Sequence, residues 1–233
     1  MPVTFVTALF LQNMQAAENY LDMALWIVTA NVPLIVYTTE DIAPLMRDAW
    51  GDRASHVRIM EDVPMEDYWK KDVILPEERN PVKDTAFYMS VQLTKLKVCT
   101  HAARNCDTDL VCWLDLGIFK ISQNKGGFWL TLKSLANASG LKRILSPGGY
   151  DSCPSDPLNK IRWKNLGGVL IGPKEAFPIA YERQKQLVEM HLPRLAWEVN
   201  YWAMLTEEGL FDLYPADHDD SILLNLSNLQ HSG

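Results

Sequence analysis

The chain has 233 residues, 48% of them hydrophobic and 22% charged, so it can bury a full core without disulfide or metal staples. Its 22 basic and 29 acidic side chains leave a net charge of −7. That balance excludes a broad cationic surface for nucleic acid or anionic lipid, but not a local basic pocket.

In chain order, Val3 to Leu9 is a short β-branched apolar run that fits a buried central strand. It lacks the basic segment of a secretory signal, since the first basic residue is Arg47. Met14 to Ala30 has apolar residues at helical spacing; Asn31 breaks it and Pro33 to Tyr37 starts a second strand. The same Asn31 and Pro33 interrupt the uncharged stretch from Met23 to Thr39, so no transmembrane segment is expected. A soluble, cytoplasmic protein follows from this reading. Thr39 or Glu40-Asp41 opens the next helix, which reaches about Trp50-Gly51, and Val57 to Met60 forms a third strand. Glu61 to Asp84, charged and carrying Pro64, Pro76 and Pro81, is a loop-rich excursion. Thr85 to Asn105 is the longest helical stretch, and Leu110 to Leu114 is a fourth strand that ends on Asp115.

The second half is less regular. A helix is expected within Gly126 to Ala138, a short strand over Arg143 to Leu145, and a turn-rich segment from Ser146 to Asn159. Gly167 to Gly172 is a strand entered and left through glycines. Helices over about Lys174 to His191 and Leu195 to Glu207 follow, then an acidic cluster, Asp217-His218-Asp219-Asp220, before a last helix from Ser221 to Asn228. The cysteines, Cys99, Cys106, Cys112 and Cys153, have no Cys-x-x-Cys or zinc-ligand spacing and read as buried thiols. Strands alternating with helices in the first half predict an α/β fold with a mainly parallel central sheet flanked by helices.

Open parallel sheets bind ligands beyond the carboxyl ends of their strands. The loop after the first strand, Phe10-Leu11-Gln12-Asn13-Met14, contains no glycine, so a dinucleotide-binding turn and a Walker-type phosphate loop are both absent. A Gly-x-Ser-x-Gly nucleophile elbow is missing as well. The positive feature is Asp115, a carboxylate at the end of an apolar strand, where it can hold a divalent ion or a ribose hydroxyl, or simply cap a turn.

The run Leu93-Thr94-Lys95-Leu96, followed by Thr108 to Asp115, resembles glycosyltransferases of the GT-A fold. Their glycogenin-like members carry a Thr-Lys-Leu helix and a hydrophobic strand running into Asp-x-Asp. Asn165-Leu166-Gly167-Gly168-Val169 is similar to their Asn-x-Gly-Val strand, and Trp197-Glu198-Val199-Asn200 falls where they carry an acidic and then a polar residue. Val6-Thr7-Ala8-Leu9-Phe10 and the Trp-Leu-Asp-x-Gly form look closer to the HtrL/YibB-like group of glycosyltransferases. One departure is plain: the second acid of Asp-x-Asp is Gly117 here. The literal Asp107-Thr108-Asp109 precedes the strand and so lies at the wrong end of the sheet.

The resemblance implies a single nucleotide-diphospho-sugar transferase domain over 1–233, with 1–122 as the nucleotide-binding half and 123–233 as the acceptor side. It implies a nucleotide-sugar donor and a glycan or other hydroxyl acceptor. Thr7, Ala8, Lys95, Asp115, Gly117, Gly167 and Gly168 would contact the donor, with Lys95 facing its phosphates. Glu198 and Asn200 would act on the reacting sugar. Asp115 and His218 would hold Mn²⁺ or Mg²⁺, although Asp217 to Asp220 reads equally as a solvated helix cap. Read from the residues alone, Lys95 is equally an ordinary surface lysine, and Gly167-Gly168 a tight strand entry. A scaffold that keeps the fold without turnover, favoured by Gly117, is the alternative to an enzyme.

Overall fold

The computed structural model describes residues 3–136, 138–149 and 158–228. Seven strands form one sheet in the order β3-β2-β1-β4-β6-β5-β7. They are β1 (Val3–Leu9), β2 (Leu34–Thr38), β3 (Val57–Met60), β4 (Leu110–Leu114), β5 (Ile144–Gly148), β6 (Val169–Pro173) and β7 (Phe211–Pro215). Among the described strands β6 alone runs opposite to the rest, antiparallel to both β4 and β5. The helices are α1 (Ala17–Val28), α2 (Ala43–Trp50), α3 (Ala86–Leu93), α4 (Lys95–Asn105), α5 (Lys125–Leu135), α6 (Ala176–His191), α7 (Glu198–Glu207) and α8 (Ser221–Asn228). Among the described residues none is long and apolar enough to cross a membrane.

Strand periodicity divides the core in two. Phe5, Leu34, Val36, Cys112 and Leu114 pack on one face of the sheet with Leu21 and Ile27 of α1, Met46 and Trp50 of α2, and Phe128 and Leu132 of α5. Val6, Ile35, Tyr37, Val111 and Trp113 pack on the other with Leu96 and Cys99 of α4, Phe177 of α6 and Trp202 of α7. A sheet apolar on both faces must be covered on both, which is why these strands read as continuous hydrophobic runs.

The expected single helix from Thr85 to Asn105 is instead two. The Thr94 hydroxyl donates back to the Ser90 carbonyl at 2.7 Å and accepts the Glu66 N–H at 2.9 Å. Such back-bonding bends helices, and here it starts α4 at Lys95. A second difference lies after α7, where Phe211 to Pro215 forms β7 beside β5. The strand is short and buries only Phe211 and Tyr214, three positions apart on opposite faces, so no period-two pattern marks it in the sequence. Cys99 and Cys112 are buried, whereas Cys106 is half-buried; Cys153 and most of the expected turn-rich segment lie outside the described residues.

The strand order reverses between β1 and β4, with β2 and β3 on one side and β4 on the other. That switch point is where an open α/β sheet leaves a crevice at the carboxyl ends of its strands. The loops after β1 and β4 lead into α1 and α5, which cover the same face of the sheet.

Candidate active site

A cavity of about 730 Å³ occupies this crevice, within the range of small-molecule sites. Its wall combines Ala8 to Gln12 at the end of β1 and just beyond it, Asp115 to Ile118 after β4, Gly167 and Gly168 ahead of β6, and Trp197 to Val199 at the start of α7. Lys95, at the start of α4, stands at the centre of a buried charge cluster. Its ammonium lies 2.9 Å from Asp115 Oδ1 and 3.0 Å from Glu198 Oε1, and donates to the Gly167 carbonyl at 2.8 Å. The rings of Trp113 and Trp202 lie 5.8 and 5.6 Å from it.

Burial is the largest single influence on Lys95 and opposes its charge. The carboxylates of Asp115 and Glu198 outweigh it and hold the ammonium's pKa above the usual value. Lys95 is thus charged, 3% exposed and already neutralised by its neighbours. The sequence reading placed this amine on donor phosphates. The structure turns it inward, because the bend at Thr94 buries the first turn of α4. Of its two carboxylate partners, Asp115 is 33% exposed and Glu198 only 6%. Asp115 Oδ1 also accepts the Trp113 indole N–H at 2.7 Å, and its backbone N–H donates to the Gly168 carbonyl at 2.9 Å. The carboxylate that opens onto the cavity is therefore fixed from several directions.

Gly167 permits this close assembly. A Cβ there would come within 2.5 Å of Glu198 Oε1 and 3.3 Å of Lys95 Nζ. What the missing side chain admits is the protein's own ion cluster, rather than the donor or acceptor that the sequence suggested. Gly168 faces the cavity, and a Cβ on it would meet Ile118 at 2.8 Å.

Two of the expected site residues do not border the cavity. Ala8 borders the cavity but Thr7 does not: alternation along β1 sends its side chain to the opposite face, where it is fully buried. Asn200 is also fully buried and away from the cavity. Its carboxamide accepts the Arg162 N–H at 2.7 Å and donates to the Lys160 carbonyl at 2.9 Å. It therefore anchors the loop whose Ile161 and Trp163 line the cavity, without lining the cavity itself.

His218 lines the cavity with its ring edge-on to Trp163, the centroids 4.5 Å apart. Burial first, and Lys83 second, hold the imidazole below its usual pKa. Two of the acids beside it, Asp219 and Asp220, are committed elsewhere. Asp219 accepts the Ser221 hydroxyl at 2.5 Å and the Ser221 N–H at 2.8 Å, and Asp220 Oδ1 accepts the Ser122 hydroxyl at 2.6 Å and the Asn124 N–H at 2.9 Å. These bonds keep both carboxyls below the usual carboxylate range. They tie the start of α8 to the loop before α5.

A divalent ion does not fit this set. Lys95 neutralises the exposed carboxylate, position 117 supplies no ligand, and no group of three His, Cys, Asp or Glu side chains among the described residues could hold a metal. Sequence reading also missed four cavity residues: Tyr20, Lys83, Tyr88 and Lys120. They sit on separate elements with ordinary spacing, so no local pattern marks them. Burial first, then the charges of Glu198 and Asp115, push the Tyr88 phenol far above its usual range, leaving it a hydrogen-bond donor.

No protein-family model matches the chain, nor does any curated protein. Solved structures do. A galactosyltransferase LgtC in complex with donor and acceptor sugar analogs is 10% identical over 90% of this chain and 72% of its own, with a TM-score of 0.54. A 4-diphosphocytidyl-2C-methyl-D-erythritol synthase from Anaerococcus prevotii is 9% identical over 99% of this chain and 95% of its own, with a TM-score of 0.51. The apo glycosyltransferase GlyE of Streptococcus pneumoniae is 10% identical over 92% of this chain, which spans 45% of its length, with a TM-score of 0.50. The fold is that of the nucleotide-diphospho-sugar transferases, a GT-A-like α/β architecture.

Proposed function

We propose that the chain is a glycosyltransferase that moves a sugar from a nucleotide-sugar donor to the hydroxyl of a glycan or similar acceptor. The observation that carries this reading is the Lys95-held Asp115, one-third exposed at the β1/β4 switch point of this fold. In such a transfer the bond from the anomeric carbon to the donor phosphate oxygen breaks, and its electron pair leaves with the nucleoside diphosphate. The acceptor oxygen bonds to that carbon, and its proton passes to a base. Asp115 faces the reacting sugar, where its carboxylate offsets positive charge growing at the anomeric centre. Lys95 and Glu198 are positioning residues that hold the Asp115 carboxylate in place. Trp163 and His218 offer a flat, partly apolar wall of the kind that packs against a sugar face.

Calorimetry with UDP, GDP and dTDP sugars, followed by hydrolysis and transfer assays, tests the proposal. Binding with turnover, abolished in Asp115→Ala, supports it. Binding without turnover selects the second reading, a nucleotide-sugar-binding scaffold, which Gly117 favours. Release of pyrophosphate from a nucleoside triphosphate in the presence of a sugar phosphate would instead mark nucleotidyl transfer. The glycine-free, uncharged loop after β1 speaks against that chemistry.

A further inference from the structure

The charges around the cavity are unequally committed. Lys95 holds Asp115 and Glu198, Lys160 lies 3.6 Å from Glu78, and Asp84 accepts the Asn80 N–H at 3.1 Å. Lys120 and Lys83 also line the cavity, yet among the described residues neither has a carboxylate partner. Each rests instead on an aromatic ring of the same wall. Lys120 Nζ is 4.2 Å from the Tyr20 ring centroid and donates to the Tyr20 hydroxyl at 2.9 Å. Lys83 Nζ is 5.2 Å from the Tyr88 ring centroid. A ring face and a neutral hydroxyl orient an ammonium without cancelling its charge.

The surroundings of Gly117 sharpen the point. A Cβ there would meet Tyr20 Cε1 at 3.4 Å and the Lys120 stem at 3.6 and 3.7 Å. The stem of Lys120 thus packs directly beside the position that a second metal-binding acid after Asp115 would occupy. A cation of the protein lies next to the place where a ligand for a cation is expected.

We propose that Lys120, assisted by Lys83, binds the diphosphate of the donor directly, as an ammonium clamp in place of a divalent ion. The proposal rests on the reading of this cavity as a nucleotide-sugar site. Four carboxylates line the wall, Glu78, Asp84, Asp115 and Glu198, against Lys83, Lys95 and Lys120, with Lys160 paired from outside. The set sums to zero before a ligand enters. The added negative charge of a diphosphate is then offset by the two ammoniums that have no carboxylate partner to give up. The same two groups would stabilise the charge left on the departing nucleoside diphosphate.

The test is calorimetry on wild type, Lys120→Met and Lys83→Met, with circular dichroism confirming that each variant is folded. Inorganic pyrophosphate is titrated in EDTA; UDP, GDP, dTDP and their sugars are titrated in EDTA and again in Mn²⁺ or Mg²⁺. The expected result is nucleotide affinity in EDTA within about twofold of that with metal, falling as salt is raised. Lys120→Met should weaken pyrophosphate and nucleotide by about tenfold or more, the usual effect of losing a charge-assisted hydrogen bond, and Lys83→Met by less. Nucleotide binding that needs metal, or that Lys120→Met leaves unchanged, overturns the clamp and spares the nucleotide-sugar reading. Pyrophosphate binding in EDTA that is lost in Lys120→Met, with no nucleotide bound, keeps the anion site and ends the nucleotide-sugar reading. No binding under any condition ends both.

Discussion

Replacing Lys95 by methionine keeps the stem and removes the charge that organises the site. At 2.9 and 3.0 Å from its two carboxylates, the ammonium gains roughly 5 kcal/mol of attraction from each at an effective dielectric of about 20. Most of that offsets the cost of taking the charges out of water. The deletion costs more than the net gain, because it leaves Glu198, 6% exposed, with no cation beside Asp115. Breaking a buried pair in this way costs about 3–5 kcal/mol. The lower end applies, since Asp115 is one-third exposed and water can reach it. A loss of about 3 kcal/mol corresponds to roughly 6–12 °C in Tm for a chain of this size. The sign of the pH dependence follows from the raised pKa of Lys95. Its contribution is fully present below the unfolded value of about 10.5 and disappears only as pH rises through the higher folded value. Urea unfolding should therefore show the same deficit at pH 6 and pH 9, and a smaller one above about pH 11. Lys95→Met combined with Glu198→Gln should recover most of the loss. A deficit under about 1 kcal/mol, or no recovery in the double variant, would refute a charge cluster held together by Lys95.

Gly167→Ala should destabilise by about 1–3 kcal/mol in urea unfolding, since its Cβ would strike Glu198 Oε1 and crowd Lys95. Gly126→Ala in α5, with only Asn124 Oδ1 at 4.0 Å near the new atom, should be neutral or slightly stabilising by the same measurement. Lys83→Met should raise the pKa of His218 in an NMR titration, because Lys83 is one of the two influences that depress it. In wild type the neutral imidazole contributes stability that is present above pH about 6.5 and is lost as pH falls toward its lower folded value. Asn200→Ala should cost about 1–3 kcal/mol by stranding the Arg162 N–H and the Lys160 carbonyl.

The first half of the fold was legible because each strand is a short apolar run with punctuation at both ends. Val3–Leu9, Val57–Met60 and Leu110–Leu114 were read to their observed bounds. The Thr94 bend was not, since a threonine inside a helical pattern signals nothing until its hydroxyl finds the Ser90 carbonyl. At the site, Lys95, Asp115, Gly167 and Glu198 were each singled out, and the structure brings them together. Their relation was not legible, because the pairs are separated by 20, 72 and 103 positions in sequence. Pattern reading sees residues near one another in the chain, so it assigned Lys95 outward to a ligand rather than inward to two acids. The same blindness hid Lys120 and Tyr20, which lie 100 positions apart.

The inward turn of Lys95 changes what the acidity of the chain demands of the site. With net charge −7, the protein lacks a general positive field to gather a phosphate ligand, so any compensation must be local. Lys95 cannot supply it: its hydrogens go to Asp115, Glu198 and the Gly167 carbonyl, and withdrawing them would leave Glu198 buried without a partner. What Lys95 supplies is placement. It joins the start of α4, the end of β4, the entry to β6 and the start of α7 through one ammonium, so the carboxylate facing the cavity is tied to both sides of the crevice. Anion recognition then falls to side chains on the rim that lose no carboxylate partner on binding, and Lys120 and Lys83 meet that condition among the described residues. A buried cation that positions the acid and exposed cations that meet the phosphate are separate tasks. The two Lys→Met substitutions divide them: loss at Lys95 should appear first in stability, and loss at Lys120 in affinity alone.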